Sequence, residues 1–343
     1  MNVEGKRVLV TGGTGSLGQR VVRRLLDGDI GQPSRVMVLS RDEAKQHDMR
    51  LKFLGQDSAT DDVIFKRSRG RLTFRIGDLR DYATMAEAVR ESDVIIHAAA
   101  LKQVPTCEYF PREAALTNVI GTDVLVRAVH AVGQHVEVVV GISTDKACKP
   151  VNVMGMTKAL MERLLIAANL GGRSPRFVCV RYANVIGSRG SVVPLFLDQI
   201  ARGGPVTVTT REMTRFLLSI DQAADAVFKA LDTARPGEIY VPRAPSALVV
   251  DIANALIDSR PIPLHYIGIR PGEKTHEIMV SEEECQRTFE RDDHYVIAPM
   301  LPELEPPRLA TQVLNAEYTS ADVTMTLPEV QQLLRGSLEL QLA

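Results

Sequence analysis

Short apolar runs alternate with segments of helical periodicity through the first half of the chain. The runs are Arg7–Val10, Arg35–Leu39, Leu72–Ile76, Val94–Ile96, Val136–Ile142 and Phe177–Val180. Continuous apolar runs of this length are typical of strands that are buried on both faces. Between the first two runs, Gln19–Asp27 repeats its apolar residues at helical spacing. Strands of this kind separated by helices predict an α/β fold with a doubly wound parallel sheet.

After about Asn184 prolines become more frequent and the predicted strands and helices become shorter. We therefore predict a Rossmann domain over residues 1–183 and a smaller C-terminal α/β substrate domain over residues 184–343. Glu238–Val241 reads as a strand, so residues from about 212 to 250 are expected to rejoin the main sheet. An amphipathic helix is predicted around Leu327–Leu338.

Composition narrows the function classes. The 343 residues carry 41 Lys and Arg against 42 Asp and Glu, a net charge of −1, which disfavours a nucleic-acid partner. We see neither an apolar stretch of about 20 residues nor a signal sequence, so we predict a cytoplasmic protein without a membrane partner. The four cysteines and seven histidines lack the spacing of metal ligands, so no metal site is predicted.

A glycine-rich turn follows the first predicted strand directly. Gly12, Gly15 and Gly18 have the spacing GxxGxxG and precede an amphipathic helix. Without side chains, the backbone amides of such a turn can approach a pyrophosphate at the positive end of the helix. The alternative is a tight turn that binds no ligand. We predict a dinucleotide site, with cofactor contacts from Gly12, Thr14, Gly15, Ser16, Leu17 and Gly18.

The ends of the following strands add further cofactor candidates. Ser40 and Arg41 follow the second strand, where an arginine suits the 2′-phosphate of NADP and an acid would suit NAD. Asp42 is expected to point away, so NADP is predicted. Asp78 and Leu79 follow the third strand. Asp78 is a candidate adenine contact, with a helix N-cap as its alternative role.

Small residues at Ala98 and Ala99 follow the fourth strand and let the backbone pass close to the cofactor. His97, just before them, is expected to be a packed residue at the strand end. The fifth strand ends in Ser143-Thr144-Asp145-Lys146, and a helix containing Met154 and Lys158 follows.

Taken together, these motifs make the sequence resemble an extended short-chain dehydrogenase/reductase. Within that superfamily it resembles the UDP-N-acetylglucosamine 4,6-dehydratases of polysaccharide biosynthesis. The motifs that carry this resemblance are Thr11–Gly18, Ser40–Glu43, Ala98–Pro105, Thr117–Val119, Ser143–Ala147, Arg181–Val185, Ser188–Phe196, Met213–Phe216 and Arg270–Lys274.

One position departs from the superfamily pattern YxxxK. Met154 occupies the place of the tyrosine, four residues before Lys158, and methionine cannot exchange a proton. Either the chain binds nucleotide without turnover, or it belongs to an active branch that carries methionine there. The other motifs are intact, which favours the active branch. That branch includes dehydratases that invert C5 and yield a 4-keto-6-deoxy-L-arabino sugar nucleotide.

The resemblance implies a redox-neutral reaction in which C4 is oxidised, water is eliminated across C5–C6, and hydride returns to C6. Lys146 is assigned as the C5 base, and a neighbouring cation such as Lys158, or burial, is expected to lower its pKa. Asp145 would protonate the departing C6 hydroxyl, and Thr144 would hydrogen-bond the C4 oxygen. Lys158 would hold the nicotinamide ribose. With Met154 in place of tyrosine, the C4 hydroxyl proton goes to Asp145 or to water.

Residues that bind the substrate follow from the same motifs. They are Lys102, Asn184, Arg189, Arg215, Arg270 and Glu273, and the arginines suit a diphosphate because their planar fork donates two hydrogen bonds. The predicted partner is UDP-N-acetylglucosamine, and the resemblance implies a homo-oligomer. The alternatives are a dehydratase that retains C5, a C4 epimerase and a scaffold without turnover. The alternative role for Met154 and Met156 is simple packing in the core.

Overall fold

The elements of the first half of the chain alternate strand and helix. The structure, a computed structural model, describes residues 2–54, 70–172, 175–188, 190–304 and 312–342. The bounds of these elements are β1 Arg7–Thr11, α1 Ser16–Asp27, β2 Arg35–Ser40, α2 Glu43–Leu54, β3 Leu72–Ile76, α3 Tyr82–Arg90, β4 Val94–His97, α4 Val104–Tyr109, α5 Pro111–Ala114, a π-helical segment Ala115–Ile120, α6 Gly121–Val132, β5 Val138–Thr144, a 3₁₀ turn Asp145–Ala147, α7 Val153–Ala167, a 3₁₀ turn Ala168–Gly171 and β6 Arg176–Tyr182. The strand predicted at Val136–Ile142 therefore begins and ends two residues later than expected.

The second half mixes short strands and helices. Their bounds are β7 Asn184–Val185, α8 Val192–Ala201, β8 Val206–Val208, β9 Thr214–Leu218, α9 Ile220–Thr233, β10 Ile239–Pro242, β11 Ser246–Leu248, α10 Val249–Ile257, β12 Leu264–Tyr266, β13 Ile278–Val280, α11 Glu282–Cys285, β14 Thr288–Arg291, β15 His294–Ile297, β16 Tyr318–Thr319 and α12 Leu327–Leu342.

A nine-stranded sheet is the centre of the described part of the molecule. In spatial order its strands are β14-β15-β10-β6-β5-β4-β1-β2-β3. The strands from β3 to β10 run parallel, and β15 pairs antiparallel with β10 and with β14 at one edge. The predicted α/β fold with a doubly wound, mostly parallel sheet is confirmed.

Successive residues of each central strand enter opposite sides of the core. In β1, Val8 and Val10 join the cluster that α1 and α9 cover, whereas Leu9 joins the cluster under α3, α6 and α7. All three side chains are at most 1% exposed. A strand covered on both faces must be apolar at every position, which is why these strands appear in the sequence as continuous apolar runs.

The C-terminal residues divide between two cores. A separate apolar cluster joins α8, α10 and α12 with β8, and includes Phe196, Ile252 and Val330. The strand predicted at Glu238–Val241 lies in the main sheet as β10, and residues 288–297 lie in that sheet as well. The chain therefore crosses more than once between the sheet and the smaller unit, and the division at residue 183 remains a prediction.

One helical run is long and apolar enough to span a bilayer by length and composition alone. It covers Pro111–Val132, and 44% of its most apolar window is buried within the fold. Val124, Leu125 and Ala128 of this run lie in the core beneath the sheet. Because a core helix passes the same test, the run is weak evidence for a membrane span.

Candidate active site

The glycine turn leaves no room for side chains at two of its positions. Gly12 has a φ of +66°, and a Cβ there would lie 2.7 Å from the Ala99 backbone. A Cβ on Gly18 would lie 2.6 Å from Gly13 Cα, so the first turn of α1 packs directly on the loop. At Gly15 a Cβ would meet a single atom, the Gly12 carbonyl oxygen at 3.3 Å. The N-terminus of α1 is thus open beside Gly15, where its amides can receive a pyrophosphate.

The remaining residues of the turn mostly face the protein interior. Thr14 is buried, and its carbonyl oxygen accepts a hydrogen bond from Gln19. Leu17 packs in the core, and Ser16 begins α1. For Leu17, a cofactor contact can therefore come only from the backbone.

The ends of β2 and β3 bring a basic and an acidic group together. The half-exposed Arg41 guanidinium lies 3.6 Å from Asp78 Oδ2. Asp42 accepts a hydrogen bond from the Lys45 amide at 3.0 Å, so it points into the first turn of α2, as expected. The Ser40 hydroxyl accepts a hydrogen bond from Gln46. Arg41 is consequently the half-exposed cation at the end of β2, and a contact with the cofactor ribose stays a prediction.

Asp78 does not cap a helix, so the alternative role proposed for it is wrong. The N-cap of α3 is Asp81, whose side chain accepts from the Thr84 amide. Asp78 instead accepts three hydrogen bonds from the Arg80 guanidinium and one from the Arg80 amide. Leu79 is buried and packs in the core.

The end of β4 is held close to the glycine turn. The Ala98 amide donates to the Thr11 carbonyl oxygen at 3.1 Å, and the Ala99 amide donates to the Thr11 hydroxyl. His97 is buried between the hydroxyls of Thr11 and Thr122, at 2.8 and 3.1 Å. Burial, assisted by Lys158, lowers the pKa of His97 to about 3. The imidazole is neutral and fully engaged, as expected for a packed residue.

The turn after β5 concentrates the candidate acid–base groups. Asp145 is fully buried, and its Oδ1 accepts from the Thr144 hydroxyl at 2.7 Å, the Lys146 amide at 2.9 Å and Lys146 Nζ at 3.0 Å. Its Oδ2 is buried without a hydrogen-bond partner among the described residues. The Thr144 hydroxyl thus donates its hydrogen bond to Asp145, whereas the sequence predicted a hydrogen bond to the C4 oxygen of the substrate.

Lys146 lies between two carboxylates. Its Nζ is 3.0 Å from Asp145 Oδ1 and 3.2 Å from Glu277 Oε1. Burial lowers the pKa of Lys146 and Arg215 acts in the same direction, but the two carboxylates outweigh them and the pKa is raised. The expected lowering is therefore wrong for the ligand-free protein, and the neighbouring cation is Arg215 instead of Lys158.

Lys158 occupies a different environment. It is buried on α7, where Nζ donates to the Ile142 carbonyl oxygen and lies 3.0 Å from Met161 Sδ. Burial lowers its pKa to about 8, although Glu162 acts in the opposite direction. Of Lys146 and Lys158, it is therefore Lys158 whose pKa is lowered.

Met154 lies one turn before Lys158 on α7 and packs in a small apolar cluster with Cys107 and Ala114. It is 5% exposed, whereas Met156 is 52% exposed and does not pack in the core. Met154 thus fills space at the position where the superfamily pattern has tyrosine.

The segment from Arg270 to Glu277 is fastened to the turn that carries Lys146. Asn152 donates to the Gly272 carbonyl oxygen at 2.8 Å, and Lys274 donates to the Cys148 carbonyl oxygen. Gly272 has a φ of +78°, which favours glycine at this tight turn. The motif Arg270–Lys274 and the Thr144–Lys146 turn therefore form one site, although about 125 residues separate them in the sequence.

The predicted substrate residues differ in their exposure. Arg270 is half-exposed and lies 3.9 Å from Glu273, so its guanidinium is available at the surface of the site. Arg215 is mostly buried, donates to the Thr214 and Thr275 carbonyl oxygens, and lies 3.8 Å from Glu277. Lys102 is exposed. Asn184 forms the short strand β7, and Arg189 lies outside the described residues.

Several buried oxygens of the predicted site residues, and of Glu277, lack a hydrogen-bond partner among the described residues. Among the described residues they include Asp145 Oδ2, Glu277 Oε2, Glu273 Oε2 and Asn184 Oδ1. A buried polar group without a hydrogen bond costs about 1–3 kcal/mol, so such groups are retained where a ligand or water can satisfy them. Within the described ranges, no group of three His, Cys, Asp or Glu side chains could hold a metal.

Two site residues escaped the sequence interpretation. Glu277 lies three residues beyond the motif that ends at Lys274, and its only signal was an acidic residue directly before an apolar strand. Tyr182 pairs in register with Thr144 across β5 and β6. Burial, and secondly Asp145, raise the pKa of Tyr182, so its hydroxyl stays protonated.

The sheet order, the glycine turn and the acid–base turn together define a nucleotide-binding protein with the fold of the extended short-chain dehydrogenases/reductases. The family model for "polysaccharide biosynthesis protein" matches residues 8–299. The chain belongs to this family.

Similar proteins include enzymes of two related chemistries. The chain is 40% identical over 340 residues to a UDP-glucose 4-epimerase of Rickettsia canadensis, covering 96% of this chain and 95% of that protein. Pen from Bacillus thuringiensis has a TM-score of 0.85 and 32% identity, covering 98% of this chain and all of that one. DesIV, a dTDP-glucose 4,6-dehydratase of Streptomyces venezuelae solved with NAD, has a TM-score of 0.67 at 23% identity, covering 78% of this chain and 86% of that one, which supports the fold alone.

Proposed function

We propose that this protein is an NADP-dependent 4,6-dehydratase of UDP-N-acetylglucosamine that also inverts C5. The observation that carries the proposal is the buried pair of Lys146 and Asp145, 3.0 Å apart, with the second Asp145 oxygen unpartnered. Elimination of water requires a base for a carbon-bound proton and an acid for the departing hydroxyl. This pair supplies both groups at one end of the sheet.

The ion pair is one proton transfer away from the form that the elimination needs. Transfer along the hydrogen bond from Lys146 to Asp145 gives an amine and a carboxylic acid without changing the net charge. The amine takes the C5 proton, and the acid protonates the C6 hydroxyl, which leaves as water. The ammonium and carboxylate are thereby restored. Lys146 then returns a proton to C5, on the opposite face for inversion. The proton that the C4 hydroxyl gives up on oxidation reaches the pair through Asp145 or water and replaces it, so the pair ends with the charge it began with. Lys146 never has to lose its proton to solvent, which its two carboxylate neighbours oppose.

The glycine turn and the end of β2 would hold the cofactor. The amides beside Gly15 suit a pyrophosphate, and Arg41 suits a 2′-phosphate. The nicotinamide, when bound, supplies the reversible oxidation at C4 and the reduction at C6. DesIV, which shares this fold, is solved with NAD bound. Lys158, next to the end of β5, would bind the nicotinamide ribose.

Substrate recognition would come from the opposite rim of the site. Arg270 offers an exposed guanidinium for the diphosphate, and Glu273 and Asn184 offer unpartnered oxygens to hydroxyl or amide donors of the sugar. Cytoplasmic location and a homo-oligomeric state stay predictions from the sequence.

A second candidate function is C4 epimerisation of a UDP-sugar, which the name of the Rickettsia relative favours. Epimerisation requires oxidation and reduction at C4 and a group that exchanges the C4 hydroxyl proton. Met154 cannot exchange that proton. Epimerisation would also leave the Asp145–Lys146 pair without a task at C5 and C6.

Proton NMR of the purified protein with NADP and UDP-N-acetylglucosamine in D₂O tests the proposal. We expect a new C6 methyl signal, deuterium at C5, and ring couplings of an inverted C5. A galacto-configured product without a methyl signal would instead establish the epimerase. Asp145→Asn keeps the shape of the side chain but removes the acid, and we expect it to slow methyl formation by about 10²–10⁴-fold. Unchanged substrate with the wild-type protein would contradict the proposal.

A further inference from the structure

Glu277 lies against Lys146 although 131 positions separate them in the sequence. Its Oε1 is 3.2 Å from Lys146 Nζ and 3.8 Å from Arg215 Nε. The Glu277 side chain is 3% exposed. Its Oε2 has no hydrogen-bond partner within the described residues. The reaction proposed above uses Lys146 and Asp145 but leaves this second carboxylate without a task.

The backbone of Glu277 is fixed by the C-terminal part of the chain. Its amide donates to the Ser320 hydroxyl at 2.9 Å, and the Ser320 amide donates to the Glu277 carbonyl oxygen at 2.8 Å. The adjoining strands β13 and β16 pair antiparallel. The Ser320 hydroxyl is also 2.6 Å from the Thr214 hydroxyl, next to Arg215. These hydrogen bonds fix the backbone of Glu277 and so keep its carboxylate beside the Lys146 ammonium.

We propose that Glu277 is a positioning residue that holds Lys146 beside Asp145 and stabilises its charged form. The catalytic consequence rests on the function proposed above, whereas the effect on Lys146 does not. Lys146 has a flexible side chain with three rotatable donors, and one carboxylate cannot fix its direction. A second carboxylate on another element restricts the Lys146 ammonium to a single position, between the two carboxylate oxygens.

The charges around Lys146 decide what the loss of Glu277 does. Asp145 faces it from the same turn, Glu277 from the start of β13 and Arg215 from β9, and Lys274 lies close enough to interact with it. Tyr182 of β6 faces Asp145 and is neutral. Two carboxylates thus face three cations, Lys146 itself included. Removal of Glu277 leaves Asp145 alone against them, so the neutral amine of Lys146 becomes easier to form.

Chemical labelling of the full-length protein tests this without reference to turnover. Only the amine form of lysine reacts with acetic anhydride, so the extent of Lys146 acetylation against pH, read by peptide mass spectrometry, reports its titration midpoint. We expect Glu277→Gln to lower the midpoint by about 1 pH unit or more. The Lys146 midpoint in Glu277→Asp, which keeps the carboxylate on a shorter side chain, should lie between those of the wild type and Glu277→Gln. Glu290→Gln removes a half-exposed acid paired with Arg243 and should leave the midpoint unchanged.

An unchanged midpoint in Glu277→Gln would overturn the proposal. If Glu277→Gln does not fold, as judged by circular dichroism, Glu277→Asp takes its place in the test. The midpoint of that variant must then lie below that of the wild type, and an equal midpoint would overturn the proposal in the same way.

The rate of deuterium incorporation at C5 supplies the second measurement. The proposed elimination starts from the charged pair, so loss of the Lys146 proton to solvent ends activity on the alkaline side. We expect this alkaline limb of the pH profile to move to lower pH in Glu277→Gln by the same amount as the labelling midpoint. A purely structural role would lower the rate at every pH and leave the limb in place. If the wild type leaves UDP-N-acetylglucosamine unchanged, the proposed function fails, and the labelling result alone then decides the role of Glu277.

Discussion

Arg181 and Glu162 are joined by two hydrogen bonds in the interior, at 3.1 Å from Nε and 2.7 Å from Nη2. The two side chains are only 2% and 3% exposed. Arg181 also donates twice to Glu284, at 2.7 and 3.0 Å. Ser143, directly before the acid–base turn, donates to Glu162. One guanidinium therefore ties β6 to α7, α11 and the base of the active site.

Loss of this guanidinium should destabilise the fold strongly. Arg181→Met leaves two buried carboxylates without their cation, and we expect the free energy of unfolding to fall by about 3–5 kcal/mol. Arg202→Met breaks an exposed pair with Asp198 and should cost less than about 1 kcal/mol. Urea unfolding followed by circular dichroism gives both values. Equal losses in the two variants would contradict the role assigned to Arg181.

The same cluster predicts a loss of stability in acid. Burial by itself raises the pKa of Glu284, but Arg181 outweighs it and brings the pKa to about 2, below the ordinary value of 4.5. A lowered pKa contributes stability that is present above pH 4.5 and is lost as the pH falls towards 2. The contribution is on the order of 3 kcal/mol. We expect Glu284→Gln to be less stable at pH 7 and to show a shallower decline in unfolding free energy between pH 4.5 and 3. Parallel curves for the two proteins would be inconsistent with this assignment.

Gly12 and Gly5 have similar φ angles, so substitutions at the two positions distinguish the cost of backbone strain from the cost of a steric clash. Gly12 has a φ of +66° and faces the Ala99 backbone, whereas Gly5 has a φ of +69° and nothing within 4 Å of its Cβ position. Gly5→Ala should cost about 1–2 kcal/mol in stability and leave cofactor binding intact. Gly12→Ala must also displace Ala99, so we expect NADPH binding to weaken by about 10- to 100-fold beyond any loss of stability. Titration of NADPH fluorescence measures this, and equal affinities in the two variants would argue against the glycine turn as the cofactor site.

Arg41 should decide the preference between the two nicotinamide cofactors. A charge-assisted hydrogen bond to a 2′-phosphate contributes about 1.5–3 kcal/mol, so Arg41→Ala should weaken NADPH binding by about 10- to 100-fold and leave NADH binding unchanged. Arg112→Ala, at an exposed arginine on α5, serves as the control. A parallel loss for both cofactors, or none, would remove the basis for predicting NADP.

Met154 should prove replaceable by another apolar residue. It packs with Cys107 and Ala114 and has no proton to exchange. Met154→Leu conserves volume and should cost less than about 1.5 kcal/mol in stability, with methyl formation from UDP-N-acetylglucosamine within a few-fold of the wild type. Lys158→Met removes a buried cation from the same helix and should abolish detectable turnover. A comparable loss in Met154→Leu would show that the thioether itself takes part in the reaction.

The sequence by itself determined the sheet, the glycine turn and the acid–base turn. These features are local: a strand buried on both faces must be apolar throughout, and a loop that touches Ala99 must be glycine. Asp145 and Lys146 are neighbours in the chain, so their pairing could be predicted from the turn alone. The family resemblance, not local pattern, made the motif Arg270–Lys274 part of the predicted site, and it did not give the distance of that motif from Lys146.

Only the tertiary structure decided the charge of Lys146. Its pKa depends on Asp145 beside it and also on Glu277 and Arg215, which lie far along the chain, and the two carboxylates together outweigh the effect of burial. Likewise, the role of Asp78 was open until Asp81 proved to be the cap of α3. Electrostatic interactions act through space and fall off over a few ångströms, so they cannot be read from the order of residues along the chain.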